Sequence, residues 1–272
     1  MKVSCIQITA RDSIEENISI ITPMVAQAAN EGATLVTLPE NALLMAAGRT
    51  FHRQVTLEKD NDGITSVCQL AKKHHVWILL GSVAVQQEKK GKYANRQLLV
   101  SPEGKITARY DKIHLFDVSI AEGESHKESD RFYYGEQAVI AQAAEATLGL
   151  SICYDVRFPY LYRALAKAGA QILTIPAAFT RYTGEKGAWH VLCRARAIET
   201  GCYVVAAAQC GEHAANRKTY GHSLIINPWG EIMAEAGQEP CIITAEIDLA
   251  EVAKTQQTMP SLSHERVFSL LN

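Results

Sequence analysis

The chain repeats itself, and this limits its fold more than any other feature of the sequence. Residues 32–39, GATLVTLP, match residues 169–176, GAQILTIP. A stretch with helical spacing precedes each, PMVAQAANE in the first half and PYLYRALAKA in the second. A second echo follows at its own common offset. VWILLGSVAV at 76–85 parallels CYVVAAAQCG at 202–211, and NRQLLVSPEGKI at 95–106 parallels GHSLIINPWGEI at 221–232. ITSVCQLAKKHH and HVLCRARAIETG, both helically spaced, come before this second pair. Self-similarity of this kind means that one supersecondary unit has been used twice.

Each half reads strand, helix, strand, helix, strand, strand. The runs TLVTL, WILL, ILTI and YVVAAA are apolar without alternation, as strands covered on both faces are. SPEG and NPWG read as turns joining antiparallel strands. No Gly/Ser linker or low-complexity tract divides the chain, so residues 1–272 are expected to form a single domain. The expected class is α/β. Two similar halves, each a sheet with helices outside, should pack sheet against sheet in a four-layer αββα sandwich with an internal pseudo-repeat.

The net charge is -2, which supplies no electrostatic case for a nucleic-acid or membrane partner. MKVSCIQI carries one lysine and then reads as a strand, unlike a signal peptide. VWILLGSVAV, among the longest apolar stretches, is about half of a membrane span. A cytoplasmic protein is expected. Seven cysteines, an odd number without an export signal, argue against a disulfide framework. No CxxC or HExxH spacing supports zinc, and neither GxGxxG nor GxxxxGK[ST] is present. Most of these cysteines fit the role of small buried apolar residues.

Three positions break that ordinary pattern. In TLGLSICYDVRFP the apolar strand ends at Cys153, and a short turn leads to Pro159 at a helix start. A cysteine at such a corner can face a ligand, with backbone N–H groups of the turn aimed at the group it attacks. That setting is expected to lower the thiol pKa; the other reading is a buried core cysteine. Glu40 follows TLVTLP where the repeat has Ala177, so the fold itself does not require the carboxylate. It must then be paired or used, unless it caps a helix over NALLMAAG. Lys112 interrupts the strand ITARYDKIHLF, and alone it reads equally as a solvated edge-strand lysine. Together the three supply a nucleophile, a base and a cation for an oxyanion, the parts that acyl transfer needs.

LPEN at 38–41, YDKIHLFD at 110–117 and CYDVRFP at 153–159 resemble the three signature blocks of the nitrilase superfamily of carbon–nitrogen hydrolases, in the same order and at fitting separations. The resemblance covers essentially the whole chain. It implies an αββα sandwich doubled into a homodimer or built into a higher homo-oligomer, and hydrolysis of a small-molecule amide without metal or organic cofactor. Glu40 would be the general base and acid, Lys112 and the Tyr154 N–H the oxyanion donors, and Cys153 the nucleophile that forms a thioester. A second, supporting glutamate is implied in the loop after the lysine block. KES at 127–129 assigns it to Glu128, with Glu124 and Glu136 close by. No histidine base is implied, so His114 and His190 read as structural. Asp155 and Arg157 are expected to brace the turn after Cys153.

RARAIETGCYVVAAAQCG at 194–211 and YGHSLIINPWG at 220–230 look most like the Nit branch, in particular its deaminated-glutathione amidases. These release 2-oxoglutarate and cysteinylglycine. An arginine fork suits such carboxylated substrates, and Arg181, in the loop after TIPAAFT, is the candidate, against a solvated loop arginine. An omega-amidase acting on 2-oxoglutaramate and a carbamoylase are the alternative enzymes. A catalytically silent scaffold is the alternative of another class.

Overall fold

In the computed structural model residues 1–87, 91–120 and 125–271 are described. The chain opens with β1 (Lys2–Gln7) and α1 (Ile14–Asn30). Ser13 caps α1 by accepting from the Glu16 N–H at 3.4 Å, and Glu15 and Glu16 lie in the first turn, where the helix dipole favours acids. The helically spaced stretch PMVAQAANE forms the second half of this helix, and Pro23 lies inside it. Burial of Ile21, Val25 and Ala28 along one face outweighs the hydrogen bond that proline removes.

β2 (Leu35–Thr37), α2 (Gly48–Gln54) and α3 (Asp62–His74) follow, with Asn61 capping α3 through the Ile64 N–H. β3 (Trp77–Gln86), β4 (Tyr93–Val100) and β5 (Ile106–Asp111) come next. β6 (Asp117–Ser119) and β7 (Ser125–Lys127) form a small antiparallel ladder. The second half contains β8 (Ile140–Ala143), β9 (Ala146–Leu150), α4 (Pro159–Lys167) and β10 (Ile172–Thr174). It continues through α5 (Arg181–Glu185), α6 (Ala188–Thr200), β11 (Tyr203–Ala206) and the ladder of β12 (Cys210–Glu212) with β13 (Lys218–Tyr220). β14 (Leu224–Ile226), β15 (Ile232–Glu235), β16 (Cys241–Glu246) and α7 (Ala250–Thr258) close the chain.

The two large sheets repeat one plan. The first runs β16-β1-β2-β3-β4-β5 and the second β15-β14-β11-β10-β9-β8. In each, three strands are parallel at the centre, β1-β2-β3 and β9-β10-β11, and the flanking strands are antiparallel. The echoed segments occupy equivalent places, β2 with β10, β3 with β11 and β4 with β14.

Side-chain parity separates the layers. Val36, Ile78, Leu80 and Leu98 pack with Ile21, Val25, Ile64 and Val67 of the first half's helices. Their neighbours Leu35, Leu79 and Leu99 point the other way and pack with Leu148, Leu150 and Ile172 of the second sheet. Leu161, Leu165, Trp189 and Ala197 of α4 and α6 cover that sheet's outer side. The order is therefore helices, sheet, sheet, helices, because successive strand residues face opposite ways and each half has apolar residues on both faces. Gly81 in β3 marks how closely the halves meet. A Cβ there would lie 2.0 Å from the Leu38 carbonyl oxygen and 2.5 Å from Cβ of Pro176, between the prolines of the two repeats. Among the described residues no helix is long and apolar enough to cross a membrane.

Candidate active site

Glu40 lies three residues beyond β2, at the carboxyl end of a central parallel strand, where ligands gather in such sheets. The segment after it is turn and coil rather than helix, so Glu40 caps nothing. Its side chain is buried, and each of its oxygens is occupied. Oε1 accepts from Lys112 Nζ at 2.8 Å and Asn95 Nδ2 at 3.0 Å, and Oε2 accepts from the Ala178 N–H at 2.8 Å.

Lys112 follows β5 directly and is also buried, not solvated at a sheet edge. Its N–H donates to the Asn95 carbonyl and its own carbonyl accepts from Gly135, which fixes the backbone. Nζ reaches Glu128 Oε2 at 2.9 Å as well as Glu40. Glu128 accepts further from the Phe116 N–H at 2.7 Å and from Asn95 Nδ2 at 3.0 Å. Of the neighbouring acids, Glu136 is exposed and outside this cavity, and Glu124 lies outside the described residues.

Cys153 lies three residues beyond β9, at the start of a 3-10 turn (Cys153–Arg157), in a left-handed conformation with φ of 48°, a region that costs non-glycine residues energy and marks functional corners. Its N–H is held by the Pro176 carbonyl at 2.9 Å. Asp155 braces the turn: Oδ2 accepts from the Ile152 N–H and the Tyr110 hydroxyl, and Oδ1 from the His114 N–H. His114 also donates through Nδ1 to Asp155 and stacks on Phe158. Arg157, expected to brace the same turn, instead lines the cavity with its guanidinium 5.9 Å from the Phe179 ring centroid.

Burial pushes the Cys153 thiol well above its ordinary value; the charge of Glu40 adds to this and Lys112 opposes it. This corrects the expected lowered pKa. Desolvation of a thiolate beside a carboxylate exceeds what the turn's dipoles return. The thiol is hydrogen-bonded to Glu40. For Glu40, burial alone would raise the pKa, but Lys112 and then Arg217 hold it below the usual carboxylate value. For Lys112, burial is outweighed by Glu128 and Glu40, so its pKa is raised. The resting arrangement is therefore a neutral thiol, an anionic Glu40 and a cationic Lys112.

One cavity collects Glu40, Lys112, Glu128, Cys153 and Tyr154. Arg181 is not among its lining residues. It starts α5, is partly exposed, and has Nη1 3.6 Å from Glu212 Oε1. The arginines that do line the cavity are Arg131, Arg157 and Arg217. Asn95, Ala178 and Arg217 had not been singled out in the sequence. Asn95 had a signal, as a polar residue inside the strand stretch NRQLLV, but Ala178 contributes only its backbone. Among the described residues, the His, Cys, Asp and Glu donors that converge are His190, His222 and Glu235, within 4.8 Å of one another and away from this cavity.

The profile of the carbon–nitrogen hydrolase family matches residues 2–257. A protein of Synechocystis named deaminated glutathione amidase is 41% identical over 97% of this chain and 97% of its own. The crystal structure of the Caenorhabditis elegans NitFhit protein superposes with a TM-score of 0.89 at 34% identity, over 97% of this chain and 65% of that one. The chain thus spans under two thirds of NitFhit's length. Saccharomyces cerevisiae Nit3, described as a member of branch 10 of the nitrilase superfamily, superposes with a TM-score of 0.85 at 28% identity over 96% of this chain and 94% of its own.

Proposed function

The chain belongs to the carbon–nitrogen hydrolase family, and from that premise we propose that it hydrolyses deaminated glutathione to 2-oxoglutarate and cysteinylglycine, with Cys153 as nucleophile. The protein is an amidase for a small-molecule amide. The observation that carries the finer reading is the shared cavity, where Cys153, Glu40 and Lys112 meet beside three arginines. The name of the Synechocystis relative supports the same substrate.

Glu40 takes the thiol proton as sulfur attacks the amide carbon. The resting thiol is neutral and hydrogen-bonded to Glu40, so deprotonation and attack are coupled in this reading and no standing thiolate is needed. The carbonyl oxygen becomes an oxyanion facing Lys112 Nζ and the Tyr154 N–H, each donor contributing about 3 kcal/mol. Glu40 then returns the proton to the departing amine, the C–N bond breaks, and a thioester remains. Water, deprotonated by Glu40, adds to the thioester; collapse expels sulfur, which regains its proton. Glu128, bonded to Lys112, Asn95 and the Phe116 N–H, holds the cation in place.

Residues 1–272 act in this reading as one domain. A homodimer is supported by exposed Val191 and Ile198 on α6, with Tyr160 and Trp229 also exposed, which a second copy would cover; light scattering reads it. Seven free cysteines support a reducing, cytoplasmic setting.

Steady-state kinetics on deaminated glutathione, 2-oxoglutaramate and simple nitriles test the substrate. The first should have the highest kcat/KM and nitriles none, because the cysteinylglycine portion supplies binding energy remote from the reacting bond. Preference for 2-oxoglutaramate would make the enzyme an omega-amidase instead.

A further inference from the structure

The charges around the cavity do not balance. Its lining acids, Glu40 and Glu128, are both hydrogen-bonded to Lys112. Arg131, Arg157 and Arg217 line the same space, and none of them forms an ion pair with an acid among the described residues. A guanidinium facing a confined space without a carboxylate is an anion site waiting for its ligand.

Arg217 is the most exacting of the three. Its Nε is buried and has no hydrogen-bond partner, although such groups in folded proteins are almost always satisfied. Its Nη2 donates to the Ala178 carbonyl at 3.2 Å. The N–H of that same residue donates to Glu40 Oε2. Residue 178 therefore ties the guanidinium to the group placed at the reacting bond, so a ligand on Arg217 is held in register with Cys153. The backbone of Arg217 is fixed in turn, its carbonyl accepting from the His213 N–H at 2.8 Å.

Arg131 supplies the second charge. Its guanidinium lies 4.9 Å from the Phe51 ring centroid and makes no hydrogen bond within the described residues. Arg131 and Arg217 line one cavity; burial lowers the Arg131 pKa, the charge of Arg217 lowers it further, and Glu128 offsets only part of this. Two like charges held together in a cavity are stabilised by an anion with more than one acceptor oxygen.

We propose that Arg217 and Arg131 form a binding site for a carboxylate of the substrate, and that this pair makes the amidase select carboxylated amides. This rests on the amidase reading above and adds the residues that choose the substrate. A carboxylate fits the planar donor fork, and its charge offsets the repulsion between the two cations. The unpartnered Nε then gains its acceptor.

The test measures binding rather than turnover. Calorimetry on Cys153→Ala protein compares 2-oxoglutaramate with levulinamide, which carries a methyl group in place of the carboxylate on the acyl portion. A second arm compares deaminated glutathione with its glycinamide analogue, which lacks the carboxylate on the amine portion. In at least one arm the anionic ligand should bind roughly 10- to 100-fold tighter. Adding Arg217→Met should shrink that gap to within about threefold, while Arg217→Lys, keeping charge but not the fork, should retain part of it. The arm that responds identifies which portion Arg217 reads. The proposal is overturned if neither arm shows a gap, or if the gaps survive Arg217→Met. Thermal melts establish that each variant is folded, and Arg131→Met provides the same comparison if Arg217→Met is not. Failure of wild-type protein to hydrolyse deaminated glutathione would overturn the activity reading alone, because these measurements need no turnover.

Discussion

Lys112 Nζ lies 2.8 Å from Glu40 Oε1, and the two side chains are 2% and 3% exposed. Such a pair has exchanged strong hydration for one another, so its members cannot be removed independently without cost. Glu128 Oε2 lies 2.9 Å from the same ammonium, so Lys112 has two ion-paired carboxylates, whereas Glu40 is ion-paired with Lys112 and feels Arg217 only through its charge.

That asymmetry predicts unequal variants. Lys112→Met leaves two buried carboxylates without their cation and should lose about 3–5 kcal/mol of stability and roughly 100-fold or more in kcat. Glu40→Gln should cost roughly 10²–10⁴ in kcat with a smaller stability loss, because Lys112 keeps Glu128. Urea unfolding and steady-state kinetics separate the two effects. A raised KM with normal kcat in either variant would move that residue from catalysis to binding.

Cys153→Ala should abolish hydrolysis while leaving the melting temperature nearly unchanged. Cys193, fully buried in the core, should behave in the opposite way. Alanine there should lower stability by about 1 kcal/mol with kcat close to wild type. Substantial turnover by Cys153→Ala would remove sulfur from the mechanism.

The protonation of the site predicts an unusual pH profile for alkylation. The Cys153 pKa is raised and the Glu40 pKa lowered, so between these values the proton stays on sulfur and Glu40 remains the base. Iodoacetamide should therefore label Cys153 ahead of the other six cysteines at a rate nearly level from about pH 5.5 to 8. A thiol reacting only as free thiolate would gain about tenfold per pH unit. Glu40→Gln should slow the labelling and restore that slope; mass spectrometry of labelled peptides checks both.

His213 makes stability pH-dependent. Burial lowers its pKa from 6.5 to about 4, while Nδ1 donates to the Ala10 carbonyl and Nε2 accepts from the Thr219 hydroxyl. The unfolded chain binds this proton first as pH falls. The contribution is therefore full above pH 6.5, declines toward about 4, and levels below that, for a total of about 3 kcal/mol. In His213→Gln the stability difference from wild type should narrow between about pH 7 and 4.5. A constant difference in urea midpoints would show that His213 does not carry this effect.

Arg181 sits outside the cavity beside Glu212, so Arg181→Ala should change kcat/KM by less than about twofold, within the range of surface substitutions. A large loss of carboxylated substrates in that variant would return the recognition role to Arg181.

The duplication, the order of strands and helices and the three signature blocks were legible in the chain because they are encoded locally. Apolar runs, caps and turn residues act over a few positions, and GATLVTLP and GAQILTIP each end two residues past β2 and β10. Glu40, Lys112 and Cys153 stood out as candidates because each interrupts such a pattern. Their electrostatic state was decided only by the tertiary structure. Whether Cys153 is a thiol, and whether Glu40 is satisfied by Asn95 and the Ala178 N–H, depends on groups that fold in from 55 and 138 residues away from Glu40. So does the choice between Arg181 and Arg217. Arg181 follows β10 and Arg217 lies between β12 and β13, and only packing determines which of the two lines the cavity. Charge and desolvation depend on distance through space, and no spacing along the chain measures that.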